Sequence, residues 1–221
     1  MGTPMAPNYA NLFMNKFETQ LLSEFDSIYH TSPLLWYRFI DDIFFIWIGD
    51  SESLNKFIQF AQNFSNSKNM KSDIKFEVQI SDKKINFLDT TITLENGTLK
   101  TELYNKAINT NMYLDSSSCH PPHIIKNIPK GQFMRIRRIC SDAKTYNLHS
   151  RTSISNFIKC GYNSEQLFKT TTEISKIERN SLLKDKIIAK KDPQTIFVTT
   201  WHPKLSKLSS NIKSNFHVIK K

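Results

Sequence analysis

The chain has 221 residues, of which 39% are hydrophobic, and 30 Lys and Arg against 20 Asp and Glu give a formal net charge of +10. This length can bury a sizeable core and fits one or two domains. The 5 Gly and 8 Pro are too few for a collagen-like or low-complexity chain. The longest clean apolar run, Ile43–Ile48, is far shorter than the roughly 18 residues of a membrane-spanning helix. The sequence therefore predicts no transmembrane segment.

The charge is divided unequally between the two halves of the chain. Residues 1–99 carry eight Lys and Arg against twelve Asp and Glu, a net of −4, whereas residues 100–221 carry 22 against eight, a net of +14. Such asymmetry indicates a polyanionic partner, most often nucleic acid or an anionic membrane. The alternative is a Lys-rich surface that only keeps the protein in solution.

The first third predicts a helix followed by a hairpin. After Pro7, apolar residues recur at helical spacing as far as Tyr29, which predicts one long amphipathic helix. The apolar runs Leu34–Ile40 and Ile43–Ile48 then predict two strands, buried on both faces, with a tight turn at the two aspartates between them. Ser51 is expected to cap a second helix.

The rest of the chain changes from sheet to helix. An antiparallel meander of three strands is expected, over Ile74–Ile80, Ile85–Leu94 and Thr98–Tyr104. Beyond the polar stretch Asn105–His123 the pattern is helical and basic. The expected elements there are helices over Gly131–Lys144, Ser153–Cys160 and Ser164–Lys190, a strand over Ile196–Thr200 and a final segment, Ile212–Ile219.

Three cysteines at wide spacing do not form a disulfide framework. Cys119, His120 and His123 are close enough in sequence to suggest a zinc site completed by Cys140, although the spacing matches no ordinary zinc module. The adjacent carboxylates Asp41 and Asp42 are candidate ligands of a different metal ion. Like charges this close oppose folding unless they are solvated, so an exposed turn without function is one interpretation. The other is a rigid acidic tip that holds Mg²⁺ or Mn²⁺, as in two-metal phosphoryl transfer.

The segment Phe39-Ile40-Asp41-Asp42 resembles the aspartate-pair motif on the palm hairpin of reverse transcriptases. The opening segment is similar to the preceding palm motif, in which Gly2, Pro4 and Pro7 would bring the backbone close to the template and the incoming nucleotide. The resemblance implies that Asp41 is a catalytic metal ligand and that Asp42 supports it. It also implies a lysine that protonates the leaving pyrophosphate, for which Lys75 competes with Lys71, Lys83 and Lys84.

Further segments sharpen the resemblance to Penelope-like retroelements. The segment Ile85–Asp89 resembles the hairpin that grips the primer end through Phe87, Leu88 and Asp89, although plain sheet core also explains it. Trp36–Trp47, Leu103–Lys106, Ser118–Pro121 and Arg135–Ser141 resemble the same family, and the matches span about residues 1–205.

The resemblance implies an α+β chain of three parts. Residues 1–105 would form a partial polymerase palm, 106–128 a connecting segment, and 129–221 a basic, mostly helical thumb with a helix-turn-helix-like region. Another catalytic Asp and the fingers are expected upstream of the motif that opens here, so the chain is expected to be incomplete and inactive alone. Such a product would act inside the cell, plausibly in the nucleus.

Two functions follow from these patterns. The first is a fragment of an RNA-directed DNA polymerase that binds an RNA template and a DNA primer. The second is a non-enzymatic nucleic-acid-binding protein whose basic helices carry the contacts. Lys130, Arg135, Arg137 and Arg138 are the phosphate-binding candidates, although a solvated helix face also explains them. No second, polar-faced reading helix is evident, which favours sequence-independent binding.

Overall fold

The computed structural model describes residues 3–64, 74–106 and 108–184 of the chain. The fold is mixed α+β, with short antiparallel strands and six helices in these residues. The predictions for Gly2, Lys71, Ile196–Thr200 and Ile212–Ile219 lie outside the described residues. The chain divides into two compact units, Met1–Leu88 and Asp89–Lys221, so the predicted boundary near Lys106 lies within the second unit.

The first unit begins with the predicted long helix, α1, over Ala6–Tyr29. Two antiparallel strands follow, β1 over Leu35–Phe39 and β2 over Asp42–Ile46, paired from Leu35 opposite Ile46 to Phe39 opposite Asp42. Helix α2 spans Ser51–Phe64 and strand β3 spans Lys84–Phe87. The predicted helix–hairpin–helix order is therefore confirmed.

Three details of the first unit differ from the prediction. The cap of α2 is Asp50 rather than Ser51, because the Asp50 carboxylate accepts the Ser53 amide at 2.7 Å. The segment Ile74–Ile80 is not a strand; Ile74 and Phe76 instead pack against the core between α1 and α2. Strands β1 and β2 are not buried on both faces, since Tyr37 and Phe39 are exposed and the described sheet has two strands there.

The core of the first unit is aromatic and lies between α1 and α2. Phe17 and Leu21 of α1 are fully buried against Ala61 and Phe64 of α2. Phe57 of α2 meets further rings from α1 and the hairpin, at centroid distances of 4.9–6.1 Å to Phe25, Trp36, Phe45 and Trp47. These edge-on and stacked contacts fix the inner face of the hairpin against both helices.

The second unit opens with an antiparallel hairpin of β4, Thr90–Glu95, and β5, Thr98–Leu103. Asn96 and Gly97 both have positive φ, as the predicted two-residue turn requires. The predicted strand Ile85–Leu94 is interrupted because Leu88, at φ 54°, and Asp89 form a turn between β3 and β4.

Four helices follow in the described part of the second unit: α3 over Pro122–Ile139, α4 over Ala143–Lys159, α5 over Ser164–Ser175 and α6 over Arg179–Leu183. Their boundaries correct the prediction. Helix α3 begins at Pro122 rather than Gly131, because Pro122 suits a first helical turn. Helix α4 begins at Ala143 rather than Ser153, almost three turns earlier in the chain. None of the described helices is long and apolar enough to cross a bilayer.

Candidate nucleic-acid interface

Helices α3, α4 and α5 pack as a three-helix core. Phe133 of α3 and Phe157 of α4 are fully buried, with ring centroids 5.9 Å apart, and Leu167 of α5 joins the same cluster. The Tyr146 hydroxyl of α4 donates to the Thr171 carbonyl of α5 at 3.0 Å. The core therefore fixes the direction of α5 relative to α4, which is the geometric requirement of a helix-turn-helix.

A tight turn of four residues, Cys160–Asn163, joins α4 to α5. Gly161 has φ +79°, and a Cβ there would lie 2.7 Å from the Ser116 Oγ. Ser116 holds this turn with two hydrogen bonds: its hydroxyl donates to the Gly161 carbonyl at 2.7 Å, and its amide to the Cys160 carbonyl at 2.9 Å. Glycine is thus required both by the backbone conformation and by the close approach of the preceding loop.

Both helices that flank the turn have side-chain caps. The Asn163 side chain accepts the Gln166 amide at 3.0 Å at the start of α5. The Asp142 carboxylate accepts the Thr145 amide at 2.8 Å at the start of α4, and this hydrogen bond lowers the pKa of Asp142.

Helix α5 has a buried face and a polar face. Leu167 and Ile174 are buried, whereas Gln166, Lys169 and Thr172 are exposed. The sequence analysis predicted one long helix over Ser164–Lys190 and therefore missed α5 as a separate, short helix with a polar face. The hydroxyls of Thr170, Thr171, Thr172 and Ser175 donate to backbone carbonyls three or four residues earlier.

The four predicted phosphate-binding residues of α3 occupy different environments. Lys130 and Arg138 are exposed. Arg135 donates through Nε to the Asp89 carboxylate at 2.8 Å, so part of its charge is compensated. Arg137 is half-buried; its Nε donates to the Ile177 carbonyl at 3.0 Å and its guanidinium lies 5.7 Å from the centre of the Tyr146 ring.

Two of the cations of α4 lie beside α5. Arg151 and Lys159 are exposed and line a cleft of about 290 Å³ with Phe168 of α5, whose side chain is 55% exposed. Sequence reasoning missed Arg151, because the predicted helix began two residues after it. The signal that could have found it is Asp142, a capping residue three positions before Thr145.

The acidic tip of the first unit lies on the β1–β2 hairpin. Its turn is formed by Ile40, with φ 57°, and Asp41, while Asp42 begins β2. Arg38 holds this turn: it donates to the Ile40 carbonyl at 2.8 Å and to the Glu18 carboxylate of α1 at 2.9 Å. The side chains of Arg38 and Glu18 are only 13% and 12% exposed, so this ion pair is shielded from solvent.

The hairpin tip and the predicted lysine line the same cavity. Asp41, Asp42 and Lys75 border a space of about 630 Å³ whose apolar side includes Phe57 and Ala61 of α2. Two adjacent carboxylates suit a hard divalent cation. Among the described residues, however, no group of three or more His, Cys, Asp or Glu is placed to hold a metal ion, and this includes the zinc candidates Cys119, His120 and His123.

The other predicted palm residues are placed as follows. Pro4 lies in the turn before α1 and Pro7 in its first turn. Phe87 ends β3, with its ring centroid 5.5 Å from that of Phe44, and Leu88 is 37% exposed in the turn after it. The Asp89 carboxylate is engaged by Arg135.

Comparison with known proteins gives one match. The family model described as the animal helix-turn-helix domain matches residues 112–172. No curated protein and no solved structure matches the chain. The matched range begins in the loop that carries Ser116, includes all of α3 and α4, and ends within α5.

Proposed function

We propose that residues 112–172 bind double-stranded DNA, with α5 entering the major groove. The observation that carries this proposal is a short, capped helix that follows a four-residue turn through Gly161, with its apolar face buried and its polar face exposed. A recognition helix presents side chains to base edges in this arrangement. DNA is favoured over double-stranded RNA because the major groove of B-form DNA admits a helix, whereas that of A-form RNA does not.

The electrostatic attraction comes from the helices around α5. Helix α5 itself contributes one Lys against two Glu, Glu165 and Glu173. Exposed cations on α3 and α4 supply the complementary charge to the phosphates, namely Lys130, Arg138, Arg151 and Lys159. Phosphate contacts position a protein on the duplex and carry no sequence information directly, so we expect binding that depends little on sequence.

The proposal is tested by the salt dependence of binding. Fluorescence anisotropy of the full chain with a labelled blunt DNA duplex should show an affinity that falls steeply with salt. Arg138→Ala, Arg151→Ala and Lys159→Ala should each make the log–log slope shallower by about 0.9, the value for one phosphate contact.

Lys56→Ala is the matched control, because Lys56 lies on α2 of the first unit and pairs with Glu52 at 2.7 Å. It should leave both the affinity and the slope unchanged. A binding constant that is flat between low and moderate salt would contradict the proposal. Equal effects of Lys56→Ala and Arg151→Ala would also contradict it, since charge at any position would then suffice.

A second candidate function rests on the first unit. We propose that Asp41, supported by Asp42, binds Mg²⁺ or Mn²⁺ as part of a reverse transcriptase palm, with an RNA template and a DNA primer as partners. The observation that favours it is the shared cavity of Asp41, Asp42 and Lys75, next to a turn that Arg38 holds. Phe87, Leu88 and Asp89 would then form the primer grip. The described residues supply two carboxylates at the tip, so binding is expected to be weak.

Binding of Mn²⁺ to the full chain, measured by electron paramagnetic resonance, tests the second candidate. Asp41→Ala should weaken binding by about tenfold, which corresponds to 1.4 kcal/mol. Asp42→Ala should have a smaller effect. Asp82→Ala removes an exposed carboxylate outside this cavity and should have none. Equal affinity of the wild-type chain and Asp41→Ala would refute the assignment.

A further inference from the structure

A second cavity lies beside α5, on the side away from Phe168. It is a groove of about 690 Å³, and both of its walls belong to the second unit. The first half of α3 forms one wall and the Gln166–Glu173 side of α5 forms the other. The Ser116 loop and the α4–α5 turn close one end. This volume is typical of sites that enclose a small organic molecule, and it is too small to admit a duplex.

The floor of the groove is apolar. Pro129 and Leu167 are buried there, and Ile125 is half-buried beside them. Such a surface suits the flat face of a nucleobase, which loses contact with water when it stacks on apolar atoms.

The two walls carry cations. Lys126 on α3 and Lys169 on α5 are both exposed and both line the groove, against a single acidic residue, Glu173. The amide side chains of Gln166 and Asn163 add hydrogen-bonding groups between them. Because the Asn163 oxygen accepts the Gln166 backbone amide, the Asn163 NH₂ is directed elsewhere and can donate to a ligand.

We propose that this groove binds one unpaired nucleotide of a DNA strand that continues beyond the duplex bound by α5. The base lies on the apolar floor, the Lys126 and Lys169 ammonium groups contact its phosphates, and the Gln166 and Asn163 amide groups are available to its polar edge. This inference rests on the proposed DNA binding and adds a preference for a duplex with a single-stranded tail.

The test compares a blunt duplex with the same duplex carrying an unpaired tail, using the full chain and fluorescence anisotropy. The wild-type chain should bind the tailed duplex about tenfold more tightly, since charge-assisted contacts contribute on this scale. Lys126→Ala should remove most of that preference and leave the affinity for the blunt duplex unchanged. Lys130→Ala, on the same helix but outside the groove, should weaken binding to both duplexes equally.

Two further outcomes separate the possibilities. Equal affinity for blunt and tailed duplexes would overturn the groove proposal but not DNA binding, whereas failure to bind either would overturn DNA binding itself. Excess inorganic phosphate should not abolish the preference for the tail, but a short single-stranded oligonucleotide should. If phosphate competes as well as the oligonucleotide, the groove is a simple anion site and the nucleotide assignment is wrong.

Discussion

Substitution of Gly161 by Ala is expected to destabilise the α4–α5 turn through two separate effects. An alanine at φ +79° incurs the left-handed penalty of about 1 kcal/mol. Its Cβ would also lie 2.7 Å from the Ser116 Oγ, so the Ser116 side chain must rotate and give up its hydrogen bond to the Gly161 carbonyl. That bond contributes about 1 kcal/mol net. The expected cost is therefore about 2–3 kcal/mol once residual strain is included.

Gly131→Ala is the matched control, because the same substitution there should have the opposite sign. Gly131 lies within α3, and nothing stands within 4 Å of an added Cβ. Replacing glycine by alanine inside a helix stabilises it by about 1 kcal/mol. Two identical chemical changes, thirty residues apart in one unit, are thus expected to move stability in opposite directions.

Hydrogen exchange measured by mass spectrometry resolves the effect by segment. In Gly161→Ala, peptides from α4 and α5 should exchange about thirtyfold to a hundredfold faster, while α1 serves as an internal reference. Ser116→Ala alone should cost about 1 kcal/mol, and the double variant about 2 kcal/mol, because the clash and the hydrogen bond are lost together. Full additivity of the two single variants, or unchanged protection of α5 in Gly161→Ala, would refute this reasoning.

Three other substitutions test the contacts around both sites. Asp142→Ala should destabilise α4 by about 1 kcal/mol near neutral pH. Because the pKa of Asp142 is lowered in the folded state, this stabilisation is fully present above the unfolded value of 3.8 and is lost at lower pH. The free energies of unfolding of the wild type and the variant, measured by urea denaturation, should therefore converge in acid. Arg137→Ala should cost about 1–2 kcal/mol, measured by urea denaturation, and leave the salt slope of DNA binding unchanged, because its guanidinium is engaged by the Ile177 carbonyl and the Tyr146 ring. Arg38→Ala should cost about 3 kcal/mol, because the shielded Glu18 carboxylate would keep its hydrogen bond from Trp36 Nε1 but lose the cation that balances its charge. Mn²⁺ binding at Asp41 should weaken as well, and an unchanged Mn²⁺ affinity would show that the turn and the proposed metal site are independent.

Strongly periodic segments of this chain are the ones that sequence reasoning predicted well. The apolar stripe of α1 and the paired apolar runs of β1 and β2 are visible without a structure. The left-handed conformation of Ile40 could not be predicted from the sequence, because a β-branched residue disfavours positive φ. It is held by the Arg38 contacts with α1, which lies more than ten residues earlier in the chain, and no local pattern encodes such a contact.

The helices of the second unit were harder to predict because their buried faces are partly polar. Helix α4 buries Tyr146, Ser150 and Ser153 in addition to Ile154 and Phe157. A hydropathy pattern therefore detects only its second half, where the apolar residues lie. The helix predicted from Gly131 onward in fact begins at Pro122, and Pro129 is buried inside it. Proline disfavours a helix interior, and packing against the neighbouring helices offsets this cost. Hydrophobic periodicity in the sequence does not indicate such packing.

Contacts of this kind also explain why net charge was an incomplete guide to the proposed DNA-binding surface. Arg135, Arg137 and Arg138 are close together in the sequence but differ in the structure. Arg135 binds the Asp89 carboxylate, Arg137 donates to a backbone carbonyl, and Arg138 is exposed. An arginine already satisfied within the protein gains less from a phosphate, because it must first give up its existing contacts. The cations expected to bind DNA are therefore those without such roles, and two of them, Arg151 and Lys159, lie on a helix whose first half only the structure reveals.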